Sequence, residues 1–139
     1  MADWLFPYLP VPDILKAYAR APGNELELGK LSSPESSATL AANTFGYFLH
    51  KAEDFPHVPA FGAVGWPAQR VALEECLRFP WRGGRHPWLD AVIETSTHLI
   101  GIESKRYEPF RPKKEGTFSS VYWRPVWGDA MELSTAEQN

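Results

Sequence analysis

The chain has 139 residues, 44% hydrophobic and 14% aromatic, enough for one compact core but not for two. Thirteen prolines and ten glycines exclude a coiled coil or a long helical bundle, and a single cysteine, Cys76, excludes an internal disulfide and points to a reducing cytoplasm. The net charge of −3 gives no general pull toward a polyanion, yet residues 78–114 hold eight basic and four acidic side chains, so positive charge is concentrated in one segment.

The opening stretch MADWLFPYLPVPDILKAYAR carries an acid and prolines where a signal peptide needs an unbroken apolar run. Residues 1–22 read as a proline-punctuated arm with one short helix, Asp13 near its start and Ile14, Leu15 and Tyr18 on one side. Ser33-Pro34-Glu35 then reads as a helix start, with a capping serine, a proline tolerated in the first turn and an early acid that suits the dipole. The pattern predicts a helix from there to about Ala52, with Ala41, Phe45, Phe48, Leu49 and Ala52 as a core stripe. Prolines and glycines between Phe55 and Pro67 mark a loop inside one domain.

In QRVALEECLRFPW the apolar residues Val71, Leu73, Leu77 and Phe79 alternate, which predicts a strand, although the composition also permits a short helix. Arg82-Gly83-Gly84-Arg85 predicts a reversal. Leu89 to Glu94 and Leu99 to Arg106 follow as two apolar runs joined by Thr95-Ser96-Thr97-His98, completing a three-stranded antiparallel meander. After Arg106, prolines at 109, 112 and 125 leave only the last dozen or so residues for another helix. No apolar run approaches the roughly 20 residues of a membrane helix, so a soluble protein with no membrane partner is expected.

The chemistry is concentrated in HPWLDAVIETSTHLIGIESKRYEPF. A two-residue Ser96-Thr97 turn pairs Glu94 with Leu99, and the same ladder brings Asp90 opposite Glu103; a turn of another length shifts the pairing by one. Glu103 and Lys105 share a face in any register. Two opposed carboxylates have Cβ atoms about 5 Å apart and repel unless compensated, and a divalent cation compensates. Hard oxygen ligands, few of them from protein, suit Mg²⁺ better than zinc. Lys105 is placed to stabilise charge on a phosphate or to orient water.

A strand ending near Asp90, a tight connection and a strand carrying Glu103-Ser104-Lys105 resemble the PD-(D/E)XK, restriction-endonuclease-like nuclease superfamily. The context IESKRYEPF is similar to a bacterial subgroup of uncharacterised nuclease-like proteins. Leu89 stands where the motif's name has proline. The resemblance implies an α/β (α+β) fold with N-terminal helices before the meander, a core spanning about 34–106 within a single domain 1–139, and Mg²⁺-dependent (or Mn²⁺-dependent) hydrolysis of DNA. Asp90 and Glu103 would hold the metal, Lys105 would assist, and Glu35 would be the helix acid that many relatives add. Only 33 residues follow Arg106, so the second helix and fourth strand of that fold are expected to be missing or incomplete, as in a fragment or a form completed by a partner subunit or a second copy.

Other features carry plainer alternatives. Asp90, Glu103 and Lys105 also suit an exposed strand face with a cross-strand salt bridge worth a fraction of a kcal/mol, and Glu35 suits a helix start. Glu75 is a minor site candidate because it faces with Asp90 if Gly83-Gly84 forms a two-residue turn. Arg82, Arg85, Arg111, Lys113 and Lys114, interleaved with tryptophans, suit a phosphate-backbone groove or a solvated surface. The four histidines lack zinc spacing, and Cys76 is expected to be a small core residue. The alternative function is a non-catalytic nucleic-acid- or protein-binding module on the same scaffold.

Overall fold

The computed structural model of the protein describes residues 3–23, 26, 29–62, 64–78 and 86–106. The first helix, α1, spans Val11–Arg20. Pro10 precedes it, Asp13 sits in its first turn and Arg20 in its last, each charge complementing the nearer end of the helix dipole. Ile14, Ala17 and Tyr18 are its buried residues, at the spacing of one helical face; Leu15, expected among them, is half-buried.

The second helix, α2, spans Ser37–Phe45, shorter at both ends than the sequence pattern suggests. Ser33 ends a 3₁₀ turn, Lys30–Ser32, and its hydroxyl accepts the Glu35 amide in a local turn. Ser36 has extended backbone angles and its Oγ accepts the Thr39 N–H at 3.1 Å, so it is Ser36 that caps the helix. At the other end Gly46 lies against α1: a Cβ there would be 2.7 Å from Ile14 Cδ1. The chain continues as 3₁₀ turns, Gly46–Phe48 and Ala52–Asp54, rather than as helix to Ala52. The expected stripe still faces inward, with Ala41 and Ala52 buried and Phe45, Phe48 and Leu49 packed against the buried clusters. Phe55 in the following loop stacks between Phe45 and Trp66, with ring centroids 5.9 Å apart on each side.

Three strands form an antiparallel sheet in the order β1-β2-β3: β1 Arg70–Cys76, β2 Trp88–Glu94 and β3 Leu99–Ile102. The fold is therefore mixed α+β, with two helices and an open three-stranded sheet among the described residues. The ladders pair Val71 with Ile93, Leu73 with Ala91, Ile93 with Ile100 and Ala91 with Ile102. These residues are the sheet's contribution to the core: Leu73 and Ala91 pack with Ile14, Tyr18, Leu31, Ala38 and Ala42. Glu94 pairs with Leu99 across Ser96-Thr97, the register expected from the short turn. β3 stops at Ile102 instead of running to Arg106. The reversal at Arg82 to Arg85, the loop cations there and at 111–114, and the segment in which a further helix was expected lie outside the described residues. No described helix is long and apolar enough to cross a membrane.

Polar contacts, one of them fully buried, fix the layers. The Tyr18 hydroxyl, 2% exposed as a residue, donates to the Ala38 carbonyl at 2.6 Å and locks α1 to the start of α2. Asn43 on α2 donates to the Trp4 carbonyl and accepts the Phe6 N–H, both at 2.9 Å, which ties down the N-terminal arm. At the base of the sheet Arg70 donates to Glu94 at 2.7 Å and to Glu75 at 3.3 Å. The Arg70 hydrogen bond holds the Glu94 carboxyl below its ordinary range, against a smaller opposing effect of burial.

Tyr18→Phe should lower stability by about 0.5–1.5 kcal/mol in urea unfolding, because it removes one buried hydrogen bond to a carbonyl that α2 also engages along its own axis. Glu94, whose pKa is depressed in the folded state, stabilises above its unfolded value near 4.5, and this contribution is lost as pH falls through the lower folded value. Glu94→Gln should thus cost a fraction of a kcal/mol at neutral pH, since the pair is partly exposed, and the difference from wild type should vanish in acid unfolding curves.

Candidate functional site

The site is built where the far end of the β1–β2 pair meets the start of α2. Here a cavity of about 440 Å³ is lined by Lys30, Glu35, Ser36, Glu74, Trp88 and Asp90, among others. Asp90 reaches it because β2 alternates: Ala91 and Ile93 go to the core, so Asp90, between Leu89 and Ala91, turns the other way. Glu35 reaches it because Ser33 and Ser36 fold the chain into a polar turn just before α2. Asp90 and Glu35, drawn from opposite ends of the core, thus line one space.

Glu74 is the acid that sequence reasoning missed. A two-residue Gly83-Gly84 turn pairs Arg82 with Arg85 and hence Glu75 with Val92; the observed partner of Glu75 is Leu89. In that register Glu75 is held by Arg70 at the base of the sheet, and Glu74 falls level with Asp90. Glu74 is also the one non-glycine residue with positive φ, 49°, among the described residues, a conformation that costs of order 1 kcal/mol for a residue with a side chain. Nothing in the local sequence marks it, since the connection that sets the register contains Pro80, Gly83, Gly84 and Pro87 and admits several lengths.

The expected trio is arranged in two parts. The β2–β3 ladder ends at Ala91 with Ile102, and the next step of the same register is Asp90 with Glu103. At that step the strands stop pairing as strands: Asp90 Oδ2 accepts the backbone N–H of Ser104 at 2.5 Å. The Ser104 hydroxyl donates to the Ser37 carbonyl at 3.0 Å, so this serine joins β3's exit to both Asp90 and α2. Glu103 and Lys105, on either side of Ser104, pair with each other, Lys105 Nζ donating to Glu103 Oε1 at 2.7 Å. Both are exposed. Asp90 lines the cavity, whereas Glu103 and Lys105 are not among its lining residues and form an exposed pair on either side of Ser104.

Carboxylate oxygens from Asp90 and Glu103 suit a hard divalent cation better than a soft one. Among the described residues no three His, Cys, Asp or Glu side chains converge as a metal cluster, so a cation here would take most of its ligands from water or substrate. Cys76 is half-buried rather than in the core. His50 pairs with Asp13 at 3.0 Å, well away from this cavity's lining. The chain matches no protein-family model, no curated protein and no solved structure.

The two carboxylates should separate in a stability series. Asp90→Ala leaves the Ser104 amide without its acceptor and should cost about 1–3 kcal/mol, whereas Glu103→Ala removes an exposed ion pair and should cost under about 1 kcal/mol; denaturant midpoints measure both. Asp90→Asn, which keeps an acceptor oxygen, should recover most of the loss.

Proposed function

We propose that this chain is a nuclease-type domain with a restriction-endonuclease-like core, hydrolysing DNA phosphodiesters with Mg²⁺ or Mn²⁺. The observation that carries the proposal is the β2–β3 register, with the Asp90–Ser104 hydrogen bond that extends it: it fixes the Asp90 carboxylate one residue from Glu103 and one from Lys105. The order helix, β1, β2, β3 supports the same fold, and Glu35 beside Asp90 supports the helix acid that the resemblance implies.

In this proposal Asp90 and Glu103 hold the cation through oxygen atoms, with Glu35 as an outer acid acting through water. When bound, such an ion neutralises charge on the phosphate and acidifies a water. Glu103, now paired with Lys105 at 2.7 Å, would offer its oxygens to such an ion, and the Lys105 ammonium would stabilise charge on a phosphate or orient a water. Asp90 keeps its geometry through the Ser104 amide, so the carboxylate is held before substrate arrives.

A supercoiled-plasmid nicking assay tests this directly. Lys105→Ala should lower the Mg²⁺-dependent rate by roughly 10²-fold or more, the scale of losing one charge-stabilising donor, without lowering thermal stability. Undiminished nicking by Lys105→Ala removes the lysine from the chemistry. One observation favours a second function, a non-catalytic nucleic-acid- or protein-binding module: Glu103 and Lys105 already satisfy each other. In that case Mg²⁺ leaves the melting temperature unchanged, since a ligand that binds only the folded form would raise it.

A further inference from the structure

Beside the Asp90 cavity lies a second hollow of about 480 Å³, lined by Pro22, Cys76, Arg78, His86 and Trp88. Pro22 and Trp88 line both spaces, so the two are neighbours across the indole. The ladder explains the arrangement. Cys76 pairs with Trp88, the Leu77 N–H donates to the Pro87 carbonyl at 2.9 Å, and the next step of that register brings Arg78 level with His86. Strand side chains return to the same side every second residue. Glu74, Cys76 and Arg78 therefore run in file beside Asp90, Trp88 and His86.

The charge of this file changes along its length. Carboxylates of Glu74 and Asp90 stand at one end, the half-buried indole of Trp88 in the middle, and the exposed Arg78 guanidinium with His86 at the other. Trp88 and Asp90 are two residues apart on one strand, roughly 6.6 Å, a span that one nucleotide bridges. A chain that alternates anionic phosphate with a flat π-system matches that sequence: a phosphate at the carboxylate end needs a cation, a base stacks on the indole, and the neighbouring phosphate meets Arg78. Trp88 is half-buried and lines a hollow, where a base still paired and stacked in a duplex does not reach; an unpaired base does.

We infer that Trp88, Arg78 and His86 form a channel seating an unpaired DNA strand next to the phosphate that is cut. This deepens the nuclease proposal and rests on it for the position of the cut, while the channel itself is tested by binding alone. Fluorescence anisotropy of a labelled single-stranded oligonucleotide, with Ca²⁺ in place of Mg²⁺ to hold back cleavage, is compared with a blunt duplex of the same sequence.

The wild-type chain should bind the single strand more tightly than the duplex. Trp88→Ala should weaken single-strand binding about tenfold or more, the scale of one lost stacking partner, and Trp88→Phe should restore most of it. Arg78→Ala, at an exposed position that the fold does not need, should weaken binding and reduce the log-affinity against log-salt slope by about 0.7, one single-strand phosphate contact. Wild-type affinity in either Trp88→Ala or Arg78→Ala, or tighter binding of the duplex, overturns the channel. If Lys105→Ala abolishes nicking while Trp88→Ala binds as wild type, the channel falls and hydrolysis stands. If no form cleaves DNA but single-strand binding depends on Trp88, hydrolysis falls and the channel stands.

Discussion

The hairpin between β2 and β3 has one register, and the rest of the molecule is arranged around it. Thr95 closes the turn by donating its amide to the His98 carbonyl at 2.9 Å, and its hydroxyl, buried, donates to the Val64 carbonyl. Ser96 adds a hydrogen bond to the Gly65 carbonyl at 3.0 Å. Gly65 has φ +70°, and any Cβ there would be 2.5 Å from the Ser96 and Thr97 hydroxyls, so only glycine lets the loop come this close. A slip of one residue would move Ala91 and Ile93 off the face that packs with the helices and turn Asp90 toward it. Pinning the turn from outside the hairpin raises the cost of that slip beyond what the two strands alone supply.

From this register follows the division of labour between the two helices. α1 contributes Ile14, Ala17 and Tyr18 to the inward side of the sheet and little polar chemistry to the Asp90 cavity. α2 is short, rich in alanine and held by Tyr18 at Ala38, which places its polar N-terminal turn over the end of β2. The Ser104 hydroxyl bonded to Ser37 closes the same corner from β3. Ser104 thus links Asp90 on β2 with Ser37 at the start of α2, and a carboxylate that accepts a backbone amide is held more rigidly than one at the end of a free side chain.

What the sequence made legible depended on how short the connections were. Ser96-Thr97 leaves one sensible pairing for β2 and β3, so the alignment of Asp90 with Glu103 could be read from spacing, even though the strands part before reaching it. The connection from Leu77 to Pro87 leaves several, so Glu75 was assigned the position that Glu74 takes. The helix start falls three residues later than the sequence suggests: Ser33 is a competent cap, but it closes a 3₁₀ turn with buried Leu31, and Ser36 caps α2 instead. The break at Gly46 reflects the close passage of Ile14, a tertiary contact invisible to periodicity. The shared face of Glu103 and Lys105 was legible from strand alternation, but the salt bridge forms between these near neighbours rather than across two strands, and the role of Ser104 between them left no mark in the sequence.

The two outer strands of the sheet differ in what they offer to a newcomer. β1 carries Arg70, Glu74 and Glu75 within seven residues, and charges on a border strand discourage edge-to-edge association. β3 is Leu-Ile-Gly-Ile, without a charge, and Leu99 is 51% exposed. Among the described residues, any enlargement of the sheet is therefore directional: one margin is electrostatically fenced, and the other carries no charge to deter a further strand laid alongside the segment that leads into Glu103 and Lys105.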